Sequence, residues 1–333
     1  MADVAELAGV SPMTVSRAFK PNSPVKEETR RKIRAAAESL GYVLDSTAAG
    51  LSSRRTGFIA ATIPSINNAN FADTLRGLTE GLAETGMQIL LGYTDYDLVE
   101  EERLIEQLLR RRPEAVVITG SAHSERCRRL LANAGVPVIE IWDQPQDPLG
   151  AVVGFSNARA AALMADHLVE QGYRKIGFIG GDSSRDTRGL DRQRGFLKAL
   201  RDFGLSDERV LTYGLPPITM AQGARALEAL LARWPDTEAV MCVSDLSAFG
   251  ALSACQRSGL RVPEDIAIAG FGAYDIAEHA NPAITTIDVG AREIGTQAAA
   301  LLVTFLEERE SDVPSVIEIE PTLLARASTL RRP

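Results

Sequence analysis

The sequence is poor in cysteine and histidine and contains no long apolar run. It has three cysteines and three histidines in 333 residues. Cys127, Cys242 and Cys255 show no spacing of a disulfide framework or a zinc motif, so we expect buried free thiols in a reducing compartment. No stretch reaches the roughly 18 apolar residues of a membrane span. No basic-then-apolar leader opens the sequence, which favours a cytoplasmic protein.

Motifs of catalysis are also missing. G-x-S-x-G, H-E-x-x-H and paired C-x-x-C do not occur, and the glycine-rich stretch K-I-G-F-I-G-G does not match the dinucleotide motif G-x-G-x-x-G. His123 and His279 stand alone, and neither is predicted to be a ligand. The sequence therefore predicts a protein that is not an enzyme and holds no cofactor or metal.

What is present begins with a helical pattern over residues 3–17. Val4, Ala5 and Ala8 form a small apolar face, and the glycine that follows ends the first helix. Ser11 is a candidate N-cap with Pro12 at the first helical position, so a second helix is predicted from Pro12 to about Phe19. Two short helices and a tight turn are typical of a helix-turn-helix, although any αα-hairpin would give a similar pattern.

A third helix is predicted from Lys26 to about Leu40, with an inner stripe at Ile33, Ala36, Ala37 and Leu40. Residues 42–55 have only weak helical propensity and predict a linker. Residues 1–55 contain nine Lys and Arg against six Asp and Glu, a net charge of +3. Since the whole chain has a net charge of −8, the remaining residues carry −11. A basic head on an acidic body indicates that the head meets phosphate.

From residue 56 onward, apolar strands alternate with amphipathic helices. The strand at G-F-I-A-A-T-I-P is followed by similar strands as far as I-A-I-A-G-F. Strands that are apolar throughout predict parallel sheets covered on both faces, with ligands at their carboxyl ends. The fold class is therefore α/β: a three-helix head and hinge, then a body of two successive sheet units with a cleft between them.

The chain resembles the LacI/GalR family of ligand-responsive transcriptional repressors. The resemblance rests on D-V-A-E-L-A-G-V-S-P-M-T-V-S-R-A at 3–18, V-K-E-E-T-R-R-K-I at 25–33, L-G-Y at 40–42, G-L-R-V-P-E-D-I-A-I-A-G-F at 259–271 and P-A-I-T-T-I at 282–287. L-G-Y-T-D-Y-D and V-G-F-S-N point to the branch that represses gluconate and related sugar-acid catabolism. One departure is that only Met1 and Ala2 precede Asp3, where the family has a capping threonine; we expect a poorly capped first helix or an internal start site.

The resemblance implies a body like the periplasmic binding proteins and a set of domain boundaries. The head spans 1–44, the hinge 45–55 and the ligand-binding and dimerisation domain 56–333. Its first lobe covers about 56–155 and 286–315, and its second lobe about 156–285 and 316–327.

The resemblance also implies which residues meet DNA. Base edges are read from Pro12, Met13 and Arg17, and an arginine can contact guanine O6 and N7 together. Thr14, Ser16 and Tyr42 are expected on phosphate. Leu51 matches the leucine with which the hinge helices of the family open a minor-groove step.

Cleft residues are implied at the ends of the strands. Tyr93, Asp95 and Tyr96 follow the second strand, and Ser244 precedes Asp245 at a later one. Arg188 and Arg192 suit a carboxylate by fork-to-fork pairing. The implied ligand-binding set is Asn70, Phe71, Tyr93, Asp95, Trp142, Phe155, Asn157, Arg188, Arg192 and Asp245. Many sugar-binding relatives have an aspartate where this chain has Gly272, and its absence agrees with an anionic ligand.

The implied function is a homodimeric repressor that binds a palindromic operator and is released by gluconate or a similar sugar acid. An activator or dual regulator of the same family is the nearest alternative, because the sign of regulation depends on operator position. A solute-binding protein without a DNA role is a further alternative, but it leaves residues 1–55 without a purpose.

Overall fold

The computed structural model describes residues 1–19, 23–43, 56–307 and 316–331. The chain divides into two compact units, Met1–Thr56 and Gly57–Pro333. Among the described residues, no helix combines the length and apolar character that a bilayer span requires.

The first unit contains three short helices, α1 Ala2–Ala8, α2 Pro12–Ala18 and α3 Glu27–Ser39. Gly9 ends α1 in the left-handed conformation at φ 66°. The side chain of Ser11 accepts a hydrogen bond from the Thr14 amide at 3.2 Å, with Pro12 at the first helical position. The predicted turn chemistry is therefore present, and it sets the angle between α1 and α2.

A small core holds these helices together. Val4, Val15 and Ile33 are fully buried, one from each helix. The prediction for Leu40 was wrong: it lies at the C-cap of α3 and is 48% exposed, because the helix ends before it can turn inward. No side chain caps the start of α1, which agrees with the expectation of a poorly capped first helix.

The second unit contains two parallel sheets. Their strands are β1 Phe58–Ile63, β2 Gln88–Tyr93, β3 Val116–Thr119, β4 Val138–Ile141, β5 Ala151–Gly154, β6 Ile176–Gly180, β7 Val210–Thr212, β8 Ala239–Cys242, β9 Ala267–Ala269 and β11 Val316–Glu318. The larger sheet has six strands in the order β11-β5-β4-β3-β1-β2, and the smaller has four in the order β7-β6-β8-β9. All pairs within these sheets are parallel, as their apolar sequences predict.

Helices cover both faces of each sheet. They are α4 Ala69–Gly81, α5 Leu98–Leu109, α6 Glu125–Ala132, α7 Asn157–Glu170, α8 Thr187–Asp202, α9 Met220–Arg233, α10 Asp245–Arg257, α11 Asp275–His279 and α12 Ala291–Leu306. A short 3₁₀ turn, Ala83–Thr85, follows α4. On α12, a Cβ at Gly295 would lie 2.0 Å from the Thr74 carbonyl oxygen, so the close contact of α12 with α4 requires glycine there.

The chain crosses between the lobes more than once. Strands β10 Thr286–Asp288 and β12 Thr322–Leu324 form an antiparallel pair outside both main sheets. Strand β11 pairs with β5 of the six-stranded sheet, so residues 316–318 belong to the first lobe. The sequence-based division, which assigns 316–327 to the second lobe, is wrong for these three residues. This edge strand has only three residues with half-exposed side chains, and its pattern does not reveal its partner.

Candidate functional site

The predicted DNA-reading residues lie on the outer side of α2. Pro12, Met13 and Arg17 are exposed, and Met13 is 62% exposed. Val15 points inward and is fully buried, which fixes the orientation of the helix. Arg17 therefore lies on the exposed face of α2, opposite the residue that packs into the head core.

The other predicted DNA-contacting residues are less exposed to solvent. Thr14 and Ser16 are half-buried, and the Thr14 hydroxyl lies 2.9 Å from the Ser11 hydroxyl. Tyr42 is half-buried and packs against the core of the head. Leu51 lies outside the described residues.

A cleft lies between the two sheets, where the carboxyl ends of their strands face each other. The free space inside the cleft and in its open mouth together amounts to about 560 Å³. Its walls are formed by Asn68, Asn70, Phe71, Tyr96, Trp142, Asp186, Arg188, Arg192, Pro217, Ile218, Val243, Ser244, Leu246, Phe271 and Tyr274. The position agrees with the rule for parallel sheets.

Half of the predicted ligand set lines this cleft: Asn70, Phe71, Trp142, Arg188 and Arg192. Phe71 and Trp142 meet edge to face, with ring centroids 5.1 Å apart. The Trp142 indole donates a hydrogen bond to the Thr74 hydroxyl at 3.1 Å. This hydrogen bond and the contact with Phe71 fix the orientation of the Trp142 ring.

Arg188 carries a buried charge with no polar partner in the described chain. The residue is 6% exposed. Its guanidinium lies 5.8 Å from the Phe71 ring centroid and 5.9 Å from that of Tyr96, and it makes neither a salt bridge nor a hydrogen bond to a described residue. A buried charge without compensation is costly, so this group calls for an anion in the cleft.

Arg192 is held more firmly than Arg188. Its Nε donates to the Asn157 side-chain oxygen at 2.9 Å, its Nη1 donates to the Val243 carbonyl at 3.1 Å, and the guanidinium lies 4.0 Å from the Phe271 ring centroid. None of these partners is a carboxylate. Burial lowers the pKa of Arg192. The protein therefore orients this guanidinium without neutralising it.

Five predicted ligand residues do not line the cleft. Tyr93 and Asp95 are exposed, because the turn after β2 places Tyr96 at the cleft instead. Phe155 is fully buried behind Trp142, with ring centroids 5.9 Å apart. Asn157 is buried too, and its amide donates to the Trp142 carbonyl at 3.1 Å while its oxygen accepts from Arg192.

Asp245 is the clearest correction to the sequence interpretation. It is fully buried at the start of α10. One carboxylate oxygen accepts from the Thr286 hydroxyl at 2.7 Å and the other from the Tyr274 amide at 2.7 Å. Burial raises the pKa of Asp245 to about 6. Its carboxylate ties the strand ends together and does not face the cleft.

Two tyrosines contribute hydroxyl groups to the cleft. Burial raises the pKa of Tyr96 to about 12 and that of Tyr274 well above its usual value. Both phenols therefore stay protonated and can donate hydrogen bonds to a ligand. Tyr274 was missed because it lies five residues past the end of β9.

Other wall residues were also missed from sequence. They are Asn68, Asp186, Pro217, Ile218, Val243, Leu246 and Phe271. Phe271 follows the end of β9 by two residues, so the strand-end rule could have found it. Pro217 and Ile218 come from a connecting loop and carry no comparable signal.

Strained backbone is concentrated around the cleft. Five non-glycine residues in the described chain have positive φ, and four are at or beside the cleft: Asp95, Tyr96, Trp142 and Ala273. Each such residue costs about 1–3 kcal/mol, and such strain is typical of functional sites. Gly272 has a φ of 119°, a backbone conformation that residues with a side chain rarely adopt. A Cβ at this position would lie 2.7 Å from the side-chain amide nitrogen of Asn70. Gly272 therefore contributes no charge to this corner of the cleft.

A second group of polar side chains lies in the first lobe. Glu101, His123 and Cys127 have donor atoms within 4.8 Å of one another, which is the kind of cluster that can hold a metal ion. The sequence prediction of no metal ligands rested on spacing, and these three residues come from separate elements.

Known proteins resemble the chain over almost its full length. A model of bacterial regulatory proteins of the lacI family matches residues 1–45, and a model of a periplasmic binding protein-like domain matches residues 165–329. The HTH-type transcriptional regulator GntR of Pseudomonas aeruginosa is 34% identical over 98% of this chain and 94% of its own. The regulator of the same name from Escherichia coli is 31% identical over 96% of each chain.

Solved structures agree with these relatives. A LacI-family transcriptional regulator from Silicibacter pomeroyi is 35% identical, covers 99% of this chain and 98% of its own, and superposes with a TM-score of 0.93. The regulator GntR from Chromobacterium violaceum is 34% identical over 82% of this chain and 99% of its own, with a TM-score of 0.76. The helix-turn-helix head, the two parallel sheets and these relatives together establish that the chain belongs to the LacI family of transcriptional regulators.

Proposed function

We propose that the protein represses genes of sugar-acid catabolism and leaves its operator when gluconate or a similar sugar acid fills the cleft. The head reads one half-site of a palindrome, and a homodimer reads both, because a head of this size covers only half of such an operator. Residues 45–55 act as the hinge between head and body.

The observation that carries this proposal is the pair of guanidiniums in the cleft wall. Arg188 and Arg192 both line it, and neither forms a salt bridge in the described chain. A carboxylate accepts two hydrogen bonds from such a fork, and a hydrogen bond to a charged group contributes about 1.5–3 kcal/mol. The acid group of the ligand is expected between these two arginines.

The remaining charges of the cleft support an anionic ligand. Asp186 is the one carboxylate in the wall, and its Oδ1 already accepts from the Gly189 amide at 2.9 Å as the N-cap of α8. Two arginines against one aspartate leave a balance of +1. The hydroxyls of Tyr96 and Tyr274 and the amides of Asn68 and Asn70 suit the hydroxyl groups of the ligand.

Coupling to DNA follows from the position of the cleft between the lobes. A ligand that touches both lobes stabilises one relative placement of them, and the hinge transmits that placement to the paired heads. Thermodynamic reciprocity then requires operator DNA to weaken ligand binding by the same factor.

Thermal unfolding with D-gluconate and with D-glucitol tests the ligand. Glucitol carries a hydroxymethyl group where gluconate carries the carboxylate, so a comparison of the two ligands measures the contribution of the carboxylate charge to binding. We expect gluconate to raise the Tm of the full chain and glucitol to leave it nearly unchanged. Arg192→Ala should weaken gluconate binding by about tenfold or more, which corresponds to about 1.4 kcal/mol.

Arg194→Ala is the matched control, because Arg194 lies on the same helix with 68% of its side chain exposed and pairs with Asp191. It should bind gluconate as the unchanged protein does. Equal Tm shifts with gluconate and glucitol, or equal losses in the two variants, would contradict the assignment of the acid group.

A further inference from the structure

A buried cluster in the first lobe combines four side chains from four elements. Glu101 belongs to α5, His123 to the loop after β3, Cys127 to α6 and Glu140 to β4. The side chains of His123, Glu140 and Glu101 are 0%, 1% and 7% exposed, and Cys127 is fully buried. Donor atoms of Glu101, His123 and Cys127 all lie within 4.8 Å of one another.

The polar contacts of this cluster are incomplete. His123 Nδ1 lies 2.8 Å from Glu101 Oε1, a hydrogen-bond distance. On the other side of the ring, His123 Nε2 and Glu140 Oε1 are 3.6 Å apart, and both atoms are buried without a hydrogen-bond partner among the described residues. Unpaired buried polar atoms are rare in folded proteins, and each calls for an explanation.

We propose that this cluster binds one zinc-class divalent metal ion through Glu101, His123 Nδ1 and Cys127 Sγ. Carboxylate, imidazole and thiolate are the ligand types that zinc prefers, and three protein ligands leave a fourth position for water. Zinc at bonds of about 2.0–2.3 Å separates tetrahedral ligands by about 3.3–3.8 Å. This spacing lies between the 2.8 Å that separates His123 Nδ1 from Glu101 Oε1 and the 4.8 Å within which all three donor atoms fall, so the hydrogen-bonded pair moves slightly apart and Cys127 Sγ moves slightly inward.

Electrostatics and geometry both favour the metal-bound form. With Glu101, Glu140 and the Cys127 thiolate ionised and the imidazole neutral, a bound divalent ion changes the net charge of the four buried side chains from −3 to −1. When Nδ1 donates its electron pair to the metal, the ring proton must reside on Nε2, the atom that faces Glu140. Glu140 then accepts that proton's hydrogen bond and orients the ring, as carboxylates do behind metal-bound histidines.

One of the three proposed ligands, Glu101, lines a surface pocket. Glu101 and Ala122 line a second cavity of about 450 Å³, again counting its mouth, beside the effector cleft. Tyr96 and Arg188 border both cavities. The proposed metal site therefore adjoins this pocket through Glu101 and shares no residue with the wall of the effector cleft.

Metal titration of the untagged, metal-free and reduced full chain tests this proposal. Zinc chloride should bind with a stoichiometry of one and raise the Tm. Cobalt(II) chloride at the same site should produce the charge-transfer absorption of a cobalt–thiolate bond, which a carboxylate or histidine site elsewhere cannot give. Absence of zinc binding, or cobalt binding without the thiolate band, would overturn the assignment in the unaltered protein.

Variants locate the site. Cys127→Ser should abolish the thiolate band and weaken zinc binding, and Glu140→Gln should keep the band but weaken zinc binding about 10- to 100-fold. Cys255→Ser is the matched control, because Cys255 is an equally buried free thiol in the second lobe. Retention of the band in Cys127→Ser, or its loss in Cys255→Ser, would place the metal elsewhere and contradict the proposal.

Discussion

The DNA-reading helix and the effector cleft differ in how far apart in the chain their side chains lie. Pro12, Met13 and Arg17 fall within six residues on α2, whereas the cleft wall joins residues from Asn68 to Tyr274. On the helix, one buried residue, Val15, determines which side chains face outward. In the cleft, the orientation of each side chain depends on the neighbouring strands. A site on one helix can therefore be read locally, and a site between two sheets cannot.

The largest expected effect is in the head. Arg17→Ala should remove a bidentate base contact of about 1–3 kcal/mol in each half-site, or about 2–6 kcal/mol for a dimer. Operator affinity should fall by roughly thirtyfold or more, while gluconate binding stays the same. Fluorescence anisotropy with operator and with unrelated DNA measures both affinities. Arg31→Ala, at a side chain that is 81% exposed on α3, is the control; unchanged operator selectivity in Arg17→Ala would show that α2 does not read the bases.

The next largest expected effect is on the pH dependence of stability, and it comes from the buried carboxylate of Asp245. The folded protein raises the pKa of Asp245 from 3.8 to about 6, so it favours the protonated form. As pH rises from 3.8 to about 6, the unfolding free energy contributed by this group should fall, by up to about 3 kcal/mol, and then stay constant. Urea unfolding of Asp245→Asn should lack this component while gluconate affinity changes little. A large loss of gluconate affinity would return Asp245 to the ligand set.

A smaller effect is expected from a glycine beside the cleft. At Gly120, with φ 96°, a Cβ would lie 2.7 Å from Arg188 Nη1, so Gly120→Ala should push the guanidinium away from its position. We expect about a tenfold loss of gluconate affinity by calorimetry, with operator binding retained. Gly135→Ala also places a side chain at a positive φ, 67°, but with no atom near its Cβ, and should not affect affinity. Equal losses in both variants would mean that strain and not Arg188 is responsible.

The smallest effect concerns a salt bridge between the lobes. Arg185 precedes α8 in the second lobe and pairs with Asp97, the N-cap of α5 in the first. Both side chains are about one-third exposed, so the pair contributes below about 1 kcal/mol. Arg185→Ala should weaken gluconate binding severalfold at most, and added salt should reduce the difference. Arg103→Ala, which breaks a pair within α5 alone, should bind normally; tighter binding in Arg185→Ala would mean that the bridge opposes closure.

Much of the fold could be predicted because its signals are local. Ser11 and Pro12 mark the start of α2, and continuous apolar runs mark the buried parallel strands. Strand β11 could not be placed, since three half-exposed residues do not specify a partner. The family resemblance located Arg188 and Arg192 in the cleft. It did not predict that both carboxylate oxygens of Asp245 accept hydrogen bonds within the protein, from the Thr286 hydroxyl and the Tyr274 amide. Glu101, His123 and Cys127 lack any motif because folding alone brings them together.

One titration tests the central claim most directly. The full chain is bound to a labelled operator, and D-gluconate or D-glucitol is added while anisotropy reports release. The charge of Arg188 and Arg192 predicts release by gluconate at a concentration at least tenfold below that of any release by glucitol. Release by both at the same concentration, or by glucitol alone, would contradict the account.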